Sequence, residues 1–372
     1  MRIDRIELLQ VQLPLVHEFE TSSHRKSALE HVLVRVEDGG GAVGWGEIAS
    51  PSGPFFTAET VETCWAIGSA FLLPALLGES WEHPTEVPGR WAKVRGNEFA
   101  KAGFDMACWS LWSAAKREPL AGALGGERRT VVAGVSLGIE PTVDALVAQV
   151  RKQVDAGYPR VKLKIAPGWD VAPVTAVRAA FPDLALHVDA NGAYTEAEEH
   201  LAALRALDGA GLTMIEQPFA PRDLMAAARL QATIDTPICL DESIVDGHDL
   251  ETALAVGACR VLNIKVSRMG GLTAAVAAHD RARAHDVPVW CGGMHEFGVG
   301  RAANVALSSL PGFVLPSDVS GSDKYYARDV VDPPIRADDG IVAVPWDSPG
   351  LGHDVDEDFV RAHATRVHEG IR

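Results

Sequence analysis

Charged residues recur through the middle of this chain in an order that could do chemistry. Lys162 and Lys164 flank one leucine, Asp189 stands two before Asn191, and Glu216 closes a short apolar run. Asp241 and Glu242 are adjacent, and Lys265 is followed three residues later by Arg268. Carboxylates brought close together repel one another unless a cation lies among them. A set of three oxygen ligands, with positions left for water or substrate, suits Mg²⁺, or Mn²⁺ or another hard divalent ion. An amine beside such an ion can take a proton next to a carboxylate, provided its pKa falls from about 10.4 to roughly 7 or 8. Singly, each carboxylate would more simply cap a helix or pair with a lysine. Convergence is what would make them a site.

The elements around them supply that convergence. From Val131 onward, short β-branched runs alternate with alanine-rich segments of helical period: VVAGVSL, RVKLKI, LALHVDA, TMIEQP, PICLDE, RVLNIKV, VPVWCGG and, more weakly, FVLP. Successive runs from Val161 to Phe313 stand 24 to 27 residues apart, about the length of a strand, a helix and two short loops. Between them, Val143, Leu146, Val147, Val150 and Val154 keep a 3.6-residue period that Gly157 can stop, and Thr195 with Glu198 reads as a capping box. No glycine-rich phosphate turn follows the first run, which favours a modified (β/α) barrel of (β/α)7β type over an open doubly wound sheet.

In such a barrel the active groups sit at the carboxyl ends of the strands. Adjacent strands lie about 4.8 Å apart, so Asp189, Glu216 and Asp241 on strands three, four and five are expected to converge as metal ligands. Lys164 on strand two and Lys265 on strand six would then face each other across the mouth as the catalytic pair. Lys162 shares a strand face with Lys164 because side chains repeat every two residues, and like charge between them is expected to lower the lysine pKa.

Ahead of the barrel, residues 31–48 read as an alternating strand, a glycine-rich turn and a second strand, part of an α+β capping unit over residues 1–130. The barrel is expected over 131–325, with 326–372 returning to the cap through the strand-like Gly340–Pro345. The 372 residues carry a net charge of −16 with no basic block, which excludes nucleic acid and an anionic membrane surface as natural partners. No export signal opens the chain, and the run from Cys64 to Gly78 is too short to span a bilayer. Five cysteines are scattered without a CxxC pair, against disulfides and thiolate metal sites. A cytoplasmic location is the expectation.

With VKLKIAPGWD, HVDANGAY, IEQPF, LDESI and NIKVSRMGGL at these relative positions, the chain resembles the enolase superfamily over essentially its full length, and its muconate-lactonizing subgroup in particular. The segment CGGMHEFGVGRAANVALSSLPGFVLPSDVS is most similar to o-succinylbenzoate synthases and N-acylamino acid (N-succinylamino acid) racemases. The resemblance implies Mg²⁺ on Asp189, Glu216 and Asp241, with Lys164 and Lys265 on the two faces of a small-molecule carboxylate. It implies supporting roles for Lys162, Glu242 and Arg268, and substrate contacts at Ser136, Asn191, Gly292, Met294 and Phe297. Loops near His17–Arg25 and Ser50–Phe56 would close over the site, and a homo-oligomer is expected. The implied reaction is dehydration of 2-succinyl-6-hydroxy-2,4-cyclohexadiene-1-carboxylate in menaquinone biosynthesis. Racemisation of N-acylamino acids is the alternative, ahead of a muconate-cycloisomerase-like or dipeptide-epimerase activity. The chain departs from the usual pattern after GGM, where His295, Glu296 and Phe297 replace an aliphatic residue, Glu and Ser or Thr. A larger side chain there would reshape the pocket, unless Phe297 faces the barrel helices.

Three other patterns fail in context. Gly39, Gly41 and Gly44 match G-x-G-x-x-G, but strand and not helix follows. Gly134, Ser136 and Gly138 match a nucleophile elbow, yet Pro141 delays the helix. His295 and Glu296 begin an H-E-x-x-H string in which Val299 stands for the second histidine.

Overall fold

The computed structural model describes residues 1–20 and 25–372, the side chains of 17–20 and 25–26 excepted. Of the covering loop expected at His17–Arg25, residues 21–24 fall outside the described residues, and the backbone of 17–20 and 25 belongs to two strands. Strands β1 (Ile3–Glu20), β2 (Arg25–Asp38) and β3 (Val43–Ile48) are antiparallel neighbours, and Ala364–Ile371 pairs with the other edge of β1. Alternation gives this sheet two apolar faces. Ile6, Leu8, Val32 and Val34 pack with Trp65, Phe104 and Leu111 of the cap helices. Leu9, Val11, Leu13 and Leu33 face the other way, into a core continuous with the barrel. At about 1.5–3 kcal/mol for each fully buried large aliphatic side chain, both faces contribute.

The glycines that mimic a dinucleotide motif have a packing reason instead. A Cβ on Gly44 would lie 2.4 Å from the Ala107 carbonyl oxygen, and one on Gly46 1.9 Å from that of Gly103. Their absence lets β3 lie directly on the long cap helix Glu98–Lys116.

The barrel has seven regular parallel strands in sequential order: Val135–Leu137, Arg160–Lys164, Ala185–Asp189, Ile215–Glu216, Ile238–Leu240, Val261–Ile264 and Val289–Cys291. A helix follows each of them. The weak eighth run does not form a regular strand. It closes the ring through isolated bridges, Val289 to Phe313 and Ala133 to Ser317, with the Asp318 amide donating to the Cys291 carbonyl at 2.7 Å. The run VVAGVSL also divides: Thr130–Val132 pairs antiparallel with Ile341–Ala343, and only Val135–Leu137 enters the barrel. The Gly340–Pro345 segment therefore joins the start of the barrel and not the four-stranded cap sheet. Thr195 does not cap the helix Glu198–Asp208; its hydroxyl pairs with His200 Nδ1 at 3.0 Å, and Ala197 occupies the cap position. The helix Val143–Asp155 ends as expected, with Gly157 at φ +86.

All five cysteines are buried and free. No helix among the described residues is long and apolar enough to cross a membrane.

Candidate active site

Register brings the strand ends level. Lys164 stands opposite Asp189, and Asp189 opposite Glu216, across strands two, three and four. One layer below, Ser136 faces Lys162 and Lys162 faces His187. Asp189, Glu216 and Asp241 are each at most 1% exposed. Strands two and six lie four steps apart in a ring of eight positions, so Lys164 and Lys265 stand on opposite sides of the mouth.

Each lysine holds part of the carboxylate set. Lys164 Nζ donates to Asp189 Oδ2 at 2.5 Å and to Asn191 Oδ1 at 2.6 Å. Lys265 Nζ lies 2.8 Å from Asp241 Oδ2. The distance is that of an ion pair, yet this oxygen lacks a well-aligned hydrogen bond, as does Glu242 Oε2. Asn191 connects the two sides, its Nδ2 donating to Glu242 Oε1 at 2.9 Å. Burial, with Asp241 and Asp189 close by, pushes the Glu242 carboxyl up to about 8.

The floor of the site holds a residue that the sequence reading missed. Asp318, just past the irregular eighth segment, accepts from Ser136 Oγ at 3.0 Å and lies 3.1 Å from Lys162 Nζ and 2.8 Å from Arg160. Burial alone would lower the Lys162 pKa, but Asp318, Glu216 and Asp189 together hold it well above the usual lysine value. That reverses the expectation of a lowered pKa at Lys162, because a third carboxylate replaces the assumed repulsion from Lys164. Burial likewise opposes the charge on Lys265, and Asp241 and Glu242 outweigh it, leaving this amine raised too. Asp189 would rise on burial but is lowered by Lys164 and Lys162.

Ser136 is half-buried and donates to a carboxylate already held by two cations, an arrangement that orients Asp318 and does not activate a nucleophile. Arg268 lies in the interior. Only 3% exposed, it meets Asp241 and donates to the Ile244 and Asn263 carbonyls, so it shares with Lys265 the carboxylate between them. Asn263, also absent from the sequence reading, donates to Glu216 Oε1 at 2.7 Å.

Of the expected substrate contacts, Gly292 proves to be a packing requirement. A Cβ there would lie 2.3 Å from Asn263 Oδ1 and 2.8 Å from Lys265 Cε. Met294 is half-buried beside the cap. Phe297 is fully buried, 4.6 Å from the His31 ring and 5.3 Å from that of Tyr326. It therefore presents no surface to a substrate, and its size is absorbed between cap and barrel. The Ser50–Phe56 loop does reach the site: Lys265 Nζ lies 4.4 Å from the centre of the Phe56 ring.

Among the described residues no group of three or more His, Cys, Asp or Glu closes to metal-holding distance. The chemistry of the donor set nonetheless fits a hard divalent ion: three buried carboxylates on adjacent strand ends, with Asp241 Oδ2 lacking a hydrogen bond.

Residues 5–125 match the mandelate racemase / muconate lactonizing enzyme N-terminal domain, and residues 145–359 the enolase C-terminal domain-like family. An o-succinylbenzoate synthase of Geobacillus kaustophilus is 46% identical, covering 96% of this chain and 94% of its own length. An N-succinylamino acid racemase of Amycolatopsis sp is 43% identical, with 95% of each chain covered. A solved enolase superfamily member from Listeria innocua superposes with TM-score 0.96 at 36% identity, covering 100% of this chain and 99% of its own.

Proposed function

The chain belongs to the enolase superfamily, as an enzyme of its mandelate racemase / muconate lactonizing branch, and from that premise we propose that it removes a proton α to a carboxylate as an o-succinylbenzoate synthase. The observation that carries this reading is the placement of Lys164 and Lys265 on opposite strands, each paired with a member of one carboxylate set. Lys164 is the base. In this reading its neutral amine takes the proton from Cα, and the ammonium so formed can donate to the Asp189 and Asn191 oxygens that lie within hydrogen-bonding distance of Nζ. Lys265, held charged by Asp241, presents a cation to the opposite face.

Asp189, Glu216 and Asp241 would hold Mg²⁺, which when bound supplies positive charge for the substrate carboxylate and for the negative charge that develops on it. Loss of the α-proton leaves two electrons that expel the ring hydroxyl; it takes back the proton that Lys164 removed and departs as water, and the ring becomes aromatic. Phe56 and the cap keep bulk water from Lys265 during this step.

A second reading is favoured by the same two-sided placement: N-succinylamino acid racemisation, with Lys164 and Lys265 as base and acid on opposite faces. Incubation with Mg²⁺ and either substrate in D₂O, following α-proton exchange and aromatic absorbance, tests both. Aromatic product that is lost on chelation and lost in Lys164→Ala is the expected result. Exchange without aromatic product would transfer the assignment to racemisation. Activity indifferent to chelator, or full activity in Lys164→Ala, would overturn the mechanism.

A further inference from the structure

The helices after barrel strands six and seven begin without a side-chain cap of their own. Leu272–Ala284 starts after Gly271 and Gly298–Ser308 after Phe297, neither of which supplies an acceptor. Glu198–Asp208 after Ala197 and Leu224–Gln231 after Asp223 likewise lack one, whereas the other three barrel helices are capped locally. Thr142 accepts from the Ala145 amide, Asp170 from Val171, and Asp246 from His248 and Asp249. An uncapped start leaves amide donors unsatisfied and the positive end of the helix dipole bare.

The bare ends after strands six and seven are both met by carboxylates of the cap. Glu47 on β3 accepts from the Phe297 amide at 2.8 Å and the Gly300 amide at 2.7 Å. Asp105, fully buried in the cap helix, accepts from the Thr273 amide at 3.0 Å and the Thr273 hydroxyl at 2.6 Å. Trp109, one turn further along the same helix, donates its indole N–H to that hydroxyl oxygen at 2.8 Å. Contact is close enough that a Cβ on Gly271, which has φ +125, would lie 2.4 Å from Asp105 Oδ2.

We propose that Asp105 is a positioning residue for Lys265. The segment between them is a closed turn: the Met269 amide donates to the Lys265 carbonyl at 3.1 Å, and the Gly271 amide to that of Val266 at 3.0 Å. One end of the turn carries the reactive ammonium and the other is pinned to the cap. Lys164 has no such dependence, since the helix after its strand is capped by the adjacent Asp170. The cap thus sets the geometry of one catalytic face and leaves the other to the barrel. The inference rests on the proposed role of Lys265 at one face of the substrate.

The test uses the full-length protein and the variants Asp105→Ala and Asp105→Asn, the second keeping one acceptor oxygen should the first fail to fold. Amide hydrogen exchange of the unliganded protein is read over residues 266–275 and 165–175. Exchange about tenfold faster over 266–275, with 165–175 within about twofold, is expected. With Mg²⁺ in D₂O, α-proton exchange from the two enantiomers of an N-succinylamino acid reads each face separately. Displacement of Lys265 should slow its own face about tenfold or more, leave the Lys164 face within about twofold, and be partly restored in Asp105→Asn. Equal loss at both faces, or unchanged protection over 266–275, overturns the proposal. Should the unsubstituted protein exchange neither enantiomer, the racemase reading fails by itself and the synthase reading stands, and protection over 266–275 decides the positioning role alone.

Discussion

The two lysine-bearing sides of the barrel mouth are chemically alike and mechanically different. Lys164 has a 19% exposed side chain, meets Asp189 and Asn191, and is held by residues of strands two and three and the loop after them. Lys265 has an 8% exposed side chain, shares Asp241 with buried Arg268, lies against Phe56 of a cap loop, and ends a turn tied to Asp105. An ammonium set by the barrel alone can stay in register while the cap moves. One set by barrel and cap together is complete only when both are in place.

The largest test of this difference separates the faces by substitution. Under the racemase reading, Lys164→Ala and Lys265→Ala are each expected to lower α-proton exchange about a thousandfold, on opposite enantiomers of an N-succinylamino acid. Loss on the same enantiomer for both would abolish the two-sided picture.

Removing the carboxylates should sharpen it. Asp241→Ala leaves two buried cations, Lys265 and Arg268, without their shared partner; a cost of about 3–5 kcal/mol is expected. Asp189→Ala leaves Lys164 with Asn191 and Lys162 with Glu216 and Asp318, so about 1–2 kcal/mol is expected. Urea unfolding of the metal-free proteins measures both, and equal losses would contradict the stronger coupling at Lys265.

The joint behind Lys265 also has its own pH dependence. Burial raises the Asp105 carboxyl to about 7 against the opposing hydrogen bonds from Thr273 and Leu272. The folded state therefore keeps a proton that the unfolded chain has released, and stability falls as pH rises from about 4 through 7. The contribution is present below the unfolded pKa and lost above the folded one, on the order of a few kcal/mol. In Asp105→Asn that decline should disappear, so the difference in unfolding free energy between pH 5 and pH 8 should shift in favour of pH 8. An unchanged pH profile would mean that Asp105 does not titrate in this window.

The smallest expected effect is at the roof. Phe56→Ala removes a ring 4.4 Å from Lys265 Nζ, an interaction on the order of 1 kcal/mol. Exchange on the Lys265 face should fall about fivefold with the Lys164 face unchanged. A fall on both faces would make Phe56 a general lid.

Legibility followed the regularity of the chain. The repeat of strand and helix placed Asp189, Glu216, Asp241, Lys164 and Lys265 at strand ends because the period of a β/α unit and the alternation of side chains are local properties. Asp318 was not legible because its segment makes isolated bridges and no regular strand, so there was no strand end at which to look for it. The only signal was a lone Asp after Pro316 and Ser317. The Lys162 pKa was misjudged for the same reason, its decisive neighbour being Asp318. Phe297 left two orientations open from sequence. Burial between His31 and Tyr326 selects one, and both partners lie far from it in one direction or on another element.

The amino-acid sequence by itself determined the barrel, the carboxylates and the pair of lysines, since periodicity and residue type need only the chain's own neighbours. Tertiary structure alone decided what surrounds them: Asp105 and Glu47 read in sequence as one buried acid in a helix and one in a strand, and become helix caps only when the cap docks on the barrel. The physical reason is that a helix start attracts any carboxylate within hydrogen-bonding reach, and which carboxylate comes within reach is a property of packing.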